Sequence, residues 1–180
     1  MAEKDVFAET ERLILRKMVL SDYDDLCKIL QDEEVMYAYE GPFTDEEVHI
    51  WLQRQLKRYE DDGFGLCAVI LKENGELIGQ CGLTMQNIPG RRVPEIGYLF
   101  QKKYWHKGYA AEAARACKDY AFKVLHMDEV FSIIRDTNTA SQNVARRNGM
   151  VQAGTFIKHF RGADMPHYIF SCSRLEGLTQ

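Results

Sequence analysis

Residues 95–112, EIGYLFQKKYWHKGYAAE, decide how this chain reads: an apolar strand passes through a short basic turn directly into an alanine-rich helix. The first amides of a helix have no intrahelical acceptors and carry the positive end of its dipole, so such a turn is built to hold phosphate. Gly108 lets the backbone come close to a ligand. Ala110, Ala111, Ala113 and Ala114 keep the first helical turns slim, as a bulky phosphorylated ligand would require. Tyr104, Trp105 and Tyr109 also have a plainer reading, as aromatic packing where a strand meets a helix.

Working outward, residues 12–18 alternate around Leu13 and Leu15 and predict a first strand. Ser21 is placed to cap a helix through about Gln31, with Leu26, Ile29 and Leu30 on one face. Thr44 and Glu47 form a capping box that opens a second helix through about Tyr59. Leu66–Leu71 and Leu77–Met85 predict strands joined at Asn74-Gly75, the strongest short hairpin signal in the chain. Pro94 precedes the strand Ile96–Phe100. A helix over about Lys107–Leu125, a strand Glu129–Ile134 and a helix Thr139–Asn148 ending at Gly149 follow. Two apolar segments, Val151–Phe160 and His167–Leu175, flank Arg161-Gly162-Ala163-Asp164 and predict a closing hairpin. The predicted order is βααβββαβαββ, with no repeat or linker to divide it, so residues 1–180 are expected to form one domain.

That order excludes other phosphate binders. A doubly wound nucleotide fold needs regular strand–helix alternation, whereas three consecutive strands precede the central helix here. Residues 63–68, GFGLCA, match a loose GxGxxA pattern but follow a helix and enter a strand, the reverse of a dinucleotide fingerprint. No GxxxxGK[ST] occurs. The 180 residues are 46% hydrophobic, with a net charge of −4 and pI near 5.8, and no polybasic arm appears, so nucleic acid is not the expected partner. The N-terminus lacks an apolar signal core and no segment reaches the roughly 20 apolar residues of a membrane span, so a cytoplasmic location and no membrane partner are expected. Cys27, Cys67, Cys81, Cys117 and Cys172 are widely spaced in apolar runs and read as free thiols. Neither they nor the five histidines show metal-ligand spacing, so no metal is expected.

Residues 105–110, WHKGYA, resemble the phosphate turn [Q/R]xxGx[G/A] of the GNAT superfamily of acyl-CoA-dependent N-acetyltransferases. Trp105 at the first position resembles the RimJ/RimL-like branch. Residues 138–150, NTASQNVARRNGM, resemble the family's NxxSxxxxxxxGF segment, with Met150 in place of Phe. Residues 10–16, TERLILR, resemble the opening strand of that branch, and residues 39–44, YEGPFT, its segment before the second helix. The resemblance implies an α+β fold: a mixed, mostly antiparallel sheet with helices on both faces, in which two parallel strands, Ile96–Phe100 and Phe131–Ile134, splay to hold the co-substrate. That co-substrate would be acetyl-CoA, with the backbone of Leu99 and Phe100 pairing with the pantetheine arm. The amides of His106, Lys107, Gly108, Tyr109 and Ala110 would hold the pyrophosphate, and Asn138 would help hold the arm. Lys102, Lys103, Lys107 and Arg146 are candidates for the adenosine phosphates.

Transfer of an acetyl group to an amine requires removal of a proton, because amines with pKa values of ~8 to ~10.4 are mostly protonated at neutral pH. Glu95 is the candidate base; its other reading is a strand-end carboxylate that faces solvent or pairs with Arg91 or Arg92. The departing thiolate needs a proton. Many relatives use a tyrosine four residues before the motif glycine, where this chain has Ala145, and Ser141 is the candidate in its place, its plainer role being a cap or packing residue. Tyr37, Tyr39, Glu40, Phe43 and Trp51 fall where the family's acceptor groove lies, and Glu40 among aromatics would attract a cationic amine. The expected acceptor is an amine-bearing small molecule or a protein N-terminus, in a protein whose relatives are frequently homodimers. The other class left open is a non-catalytic acyl-CoA-binding or sensing domain.

Overall fold

The computed structural model describes residues 5–177. Met1–Lys4, the start of the segment read as lacking a signal core, lie outside them, as do residues 178–180. Eight strands form one sheet: β1 (Val6–Glu9), β2 (Leu13–Lys17), β3 (Leu66–Leu71), β4 (Leu77–Ile88), β5 (Arg91–Phe100), β6 (Glu129–Arg135), β7 (Val151–Phe160) and β8 (Ala163–Ser173). Their spatial order is β1-β2-β3-β4-β5-β6-β8-β7, antiparallel throughout except between β5 and β6. The helices are α1 (Tyr23–Leu30), α2 (Asp45–Asp61), α3 (Tyr109–Lys123), α4 (Thr139–Arg147) and the short α5 (Arg174–Gly177). The predicted order therefore gains β1 and α5, both of only four residues, too short for a hydrophobic period to show.

Two large cores lie on opposite faces of the sheet, beside a small third cluster of Val93, Phe131 and Ile169. On one, α3 packs Ala113, Ala114, Cys117, Ala121 and Phe122 against Leu13, Leu15, Cys67 and Val69. On the other, α1 and α2 pack Leu26, Ile29, Leu30, Val48 and Leu52 against Leu66 and Ala68. Alternate residues of β3 thus enter different cores, which is why its sequence is a continuous apolar run. Each fully buried leucine or isoleucine contributes about 1.5–3 kcal/mol, so the i, i+3, i+4 triplet of α1 is sufficient to fix which face of that helix meets the sheet. The buried alanines of α3 correct the sequence reading. Ala113 and Ala114 are closed against the sheet rather than turned to a ligand, and their small size lets the helix sit close.

Local signals held where the chemistry was complete. Thr44 and Glu47 exchange the two hydrogen bonds of a capping box. Gly75 (φ 72°) turns the β3–β4 hairpin, and Gly149 (φ 78°) ends α4. Ser21, however, does not cap α1; it lies inside the 3-10 turn Leu20–Asp22. Asp22 organises this corner instead, accepting from the Val19 amide at 2.9 Å and forming a buried, two-pronged ion pair with Arg16 at 2.7 Å on each prong. Pro94 does not precede its strand but lies within β5, opposite Met85. The closing hairpin turns tightly at Arg161 (φ 49°) and Gly162 (φ 75°), leaving Ala163 and Asp164 in β8. No described helix is long and apolar enough to cross a membrane.

Candidate active site

The parallel strands β5 and β6 share one register pair, Glu95 with Phe131. The Ser132 hydroxyl donates to the Ile96 carbonyl at 2.9 Å, and no further backbone pair joins the strands among the described residues. Tyr98 reaches across the opening instead, its hydroxyl donating to the Ser141 carbonyl of α4 at 2.9 Å. A cleft of about 350 Å³ follows, lined by β5, β6 and α4, and on its outer side by α2, β7 and β8. Alternation along β5 divides the labour. Ile96, Tyr98 and Phe100 join the core beneath α3, so Glu95, Gly97 and Leu99 point to the α2 face.

Glu95 sits at the closed end of this cleft. Arg91 pairs with Glu129 and Arg92 with Asp62, so the reading of Glu95 as their partner is not what the structure shows. Among the described residues no hydrogen bond or ion pair engages its carboxylate, and Oε1 lies 3.5 Å from where a Cβ on Gly97 would stand. The cleft leaves the side chain partly accessible, but protein encloses it otherwise, and that desolvation pushes its pKa up to about 7 against the opposing pull of Lys158 and Arg58. Such a group is half ionised near neutral pH.

The C-terminal end of β5 leads into the turn that resembles the family's phosphate turn. His106 (φ 62°) and Gly108 (φ 83°) are both left-handed, and alternation of backbone hand turns successive amides outward into an anion-binding nest. His106, Lys107 and Gly108 are exposed, and α3 begins at Tyr109 with no side-chain cap. Among the described residues the amides of 106–111 meet no acceptor in the chain. A left-handed non-glycine costs about 1–2 kcal/mol, so His106 is held there by its surroundings. Trp105 supplies part of that hold. Its Nε1 donates to the Phe100 carbonyl at 2.9 Å, and its ring packs against both cores. The Phe100 carbonyl expected to pair with pantetheine is therefore already engaged, and Leu99 lines the cleft while its carbonyl faces β4.

The opening strand holds the turn from the other side, a role the sequence reading did not see. Glu112, in the first turn of α3, accepts from Thr10 Oγ1 (2.6 Å), the Arg12 amide (3.0 Å) and Arg12 Nε (2.7 Å). Burial opposes its charge, but these hydrogen bonds outweigh it and hold Glu112 below the usual carboxylate range. Arg12 also donates to the Lys107 carbonyl at 3.0 Å and lies over the Tyr109 ring at 4.4 Å. A Cβ on Gly108 would meet the same guanidinium at 3.4 Å in a backbone conformation that side chains resist. Gly108→Ala is expected to weaken coenzyme A binding about tenfold, the equivalent of that backbone strain. Calorimetric titration checks it, with circular dichroism showing the fold unchanged.

The remaining candidates are placed as follows. Asn138 caps α4, its Oδ1 accepting from the Ser141 amide at 3.1 Å, and both residues line the cleft. The Ser141 hydroxyl has no partner among the described residues. Lys102 and Lys103 are paired with Glu34 and Glu76, Arg146 lies over Phe170, and Lys107 stands near Tyr104 with no carboxylate partner among the described residues. Glu40 is neutralised by Arg135 at 2.6 Å, so it is not a free attractor for a cationic amine. Tyr39, Phe43 and Trp51 form one edge-packed aromatic group, and Trp51 Nε1 donates to Gln80 Oε1 at 2.9 Å.

A single-bridge parallel pair opening toward an uncapped helix is the geometry the GNAT resemblance implied, and residues 12–151 match the family model for the acetyltransferase (GNAT) domain. The chain belongs to the GNAT acetyltransferase family. It is 37% identical over 171 residues to an uncharacterized N-acetyltransferase, p20, of Bacillus licheniformis, covering 93% of this chain and 96% of that one. The GNAT acetyltransferase structure from Bacillus anthracis superposes with a TM-score of 0.80 at 27% identity, covering 93% and 98% of the two chains. Spermidine N-acetyltransferase of Vibrio cholerae, solved with CoA and spermine, shares the fold at a TM-score of 0.76 and 18% identity, with 94% and 99% covered. Membership assigns this GNAT protein to acyl-CoA-dependent acetyl transfer. The uncapped amides and open cleft suit a pyrophosphate-bearing thioester.

Proposed function

We propose that residues 1–180 form a single N-acetyltransferase domain that moves an acetyl group from acetyl-CoA to a primary amine, with Glu95 as the base. When bound, acetyl-CoA supplies the activated acyl group. The reading rests on one observation: among the described residues, Glu95 stands mid-β5 as a desolvated carboxylate without a partner, facing the cleft, and a row of amides without acceptors follows the C-terminal end of the same strand. The amides of His106, Lys107, Gly108, Tyr109 and Ala110 bind the pyrophosphate, and the Phe100 amide, with Leu99 and Asn138, orients the pantetheine arm. Glu95 removes the ammonium proton, directly or through one water, which its pKa of about 7 suits near neutral pH. Ser141, its hydroxyl uncommitted, hydrogen bonds the departing sulfur. Tyr98 holds α4 against β5, keeping Ser141 at the mouth.

Ser141→Ala tests the last role. Turnover is expected to fall at least about tenfold, with acetyl-CoA affinity unchanged by titration. Unchanged turnover would remove Ser141 from the chemistry and leave it as a packing residue of α4.

A further inference from the structure

The outer wall of the cleft carries charge that the transfer reaction does not use. Four cations line the cleft against two carboxylates, Glu47 and the base Glu95. Arg135 is matched by Glu40 and Glu47 by Arg161. Among the described residues, Arg54, Arg58 and Lys158 have no carboxylate within ion-pair distance. Arg58 makes one hydrogen bond, to Gln55 Oε1 at 3.1 Å, and the nearby Asp62 is taken by Arg92. Arg54 and Arg58 stand at i and i+4 of α2, an arrangement of like charges that opposes helix stability, and Lys158 approaches Glu95 from β7 across the cleft. His167 lies on the same wall, where burial pushes its pKa down and so disfavours the charged imidazolium.

These cations cannot serve the coenzyme's phosphates. At about 3.3 Å per residue, the five steps from Glu95 to Phe100 span ~17 Å of β5, and the phosphate turn follows beyond them in the chain. The cations flank the base instead, where the acceptor amine must lie. A lone cationic amine such as a polyamine would meet repulsion there, whereas a guanidinium fork is matched to carboxylate or phosphate oxygens.

We propose that the acceptor is an amine that also carries an oxyanion, a carboxylate or a phosphate ester, held by Arg58 with Arg54 and Lys158. This rests on reading the cleft as the acceptor site. The test measures binding and turnover separately. Calorimetry on the protein saturated with coenzyme A compares L-leucine with L-leucinamide, ethanolamine with O-phosphoethanolamine, and spermidine. At least one anionic member is expected to bind about tenfold or more tighter than its partner, the scale of one charge-assisted hydrogen bond. The pair with the larger ratio identifies the oxyanion. Arg58→Gln should abolish that ratio while leaving coenzyme A affinity unchanged, and Arg54→Gln/Lys158→Gln should reduce it. Equal binding within both pairs, tighter binding of spermidine, or an undiminished ratio in Arg58→Gln would overturn the proposal. Tight, Arg58-dependent binding of the anionic members without acceptor-dependent thiol release would instead overturn the acetyl-transfer reading, and with it their role as acceptors, and leave only the oxyanion site.

Discussion

Glu95→Gln is expected to lower kcat/KM by about 10²–10⁴-fold, the usual contribution of a positioned general base, without weakening coenzyme A binding at the far end of β5. The sign of the pH dependence follows from the base having to be ionised. Wild-type kcat/KM should rise with pH through about 7, the value to which burial lifts Glu95, and that limb should be missing in the variant. The same substitution should act on stability in the opposite direction. A carboxyl group whose folded pKa is raised binds its proton more tightly in the folded state. The folded protein is thus favoured below the ordinary carboxylate pKa and loses that advantage as pH climbs through about 7. Each pKa unit corresponds to about 1.4 kcal/mol, so removing the charge should stabilise the protein by on the order of 3 kcal/mol at pH 8 and have little effect at pH 4. Thermal unfolding of both proteins at the two pH values measures it. An unchanged rate would mean that Glu95 is not the base, and equal unfolding temperatures at pH 8 that it is not desolvated.

Asp22→Ala carries the largest expected effect on the fold. Arg16 and Asp22 form a buried pair whose carboxylate also accepts the Val19 amide. Deleting the acid strands a guanidinium inside the protein, which costs about 3–5 kcal/mol of a total that is typically about 5–15. For a protein of this size the unfolding temperature should fall by roughly 6–20 °C. Removing Lys57 from its exposed ion pair with Asp61 should barely move it, since such surface pairs contribute about 0–1 kcal/mol. Scanning calorimetry of the two variants gives the comparison.

The corner around Asp22 also shows where sequence stops being informative. Ser21 has the chemistry of a cap and stands before an apolar period, but a partner six residues upstream, Arg16, recruits the neighbouring aspartate and displaces it. Thr44 with Glu47 was legible because both halves of the capping box lie within four residues. The phosphate turn was legible for the same reason, its glycine and helix start being adjacent, whereas its anchor is not: Arg12 and Thr10 meet Glu112 from about a hundred positions away. The charged outer wall of the cleft was the least visible part. Trp51, Arg54 and Arg58 follow helical spacing, and Phe156, Lys158 and Phe160 alternate on one face of β7, so each half carried a signal. Only the sheet brings the two together around Glu95, and only there does Glu40 prove to be spent on Arg135.

Acetyl transfer itself is tested most directly by incubating the protein with acetyl-CoA and a broad panel of amines, amino acids, aminoglycosides, polyamines and N-terminal peptides. Free thiol and the acetylated product are then followed together. Acceptor-dependent thiol release matched by N-acetyl product, and lost in Glu95→Gln, is the result expected. Tight coenzyme A binding with no product from any amine would contradict it and leave an acyl-CoA-binding domain in its place.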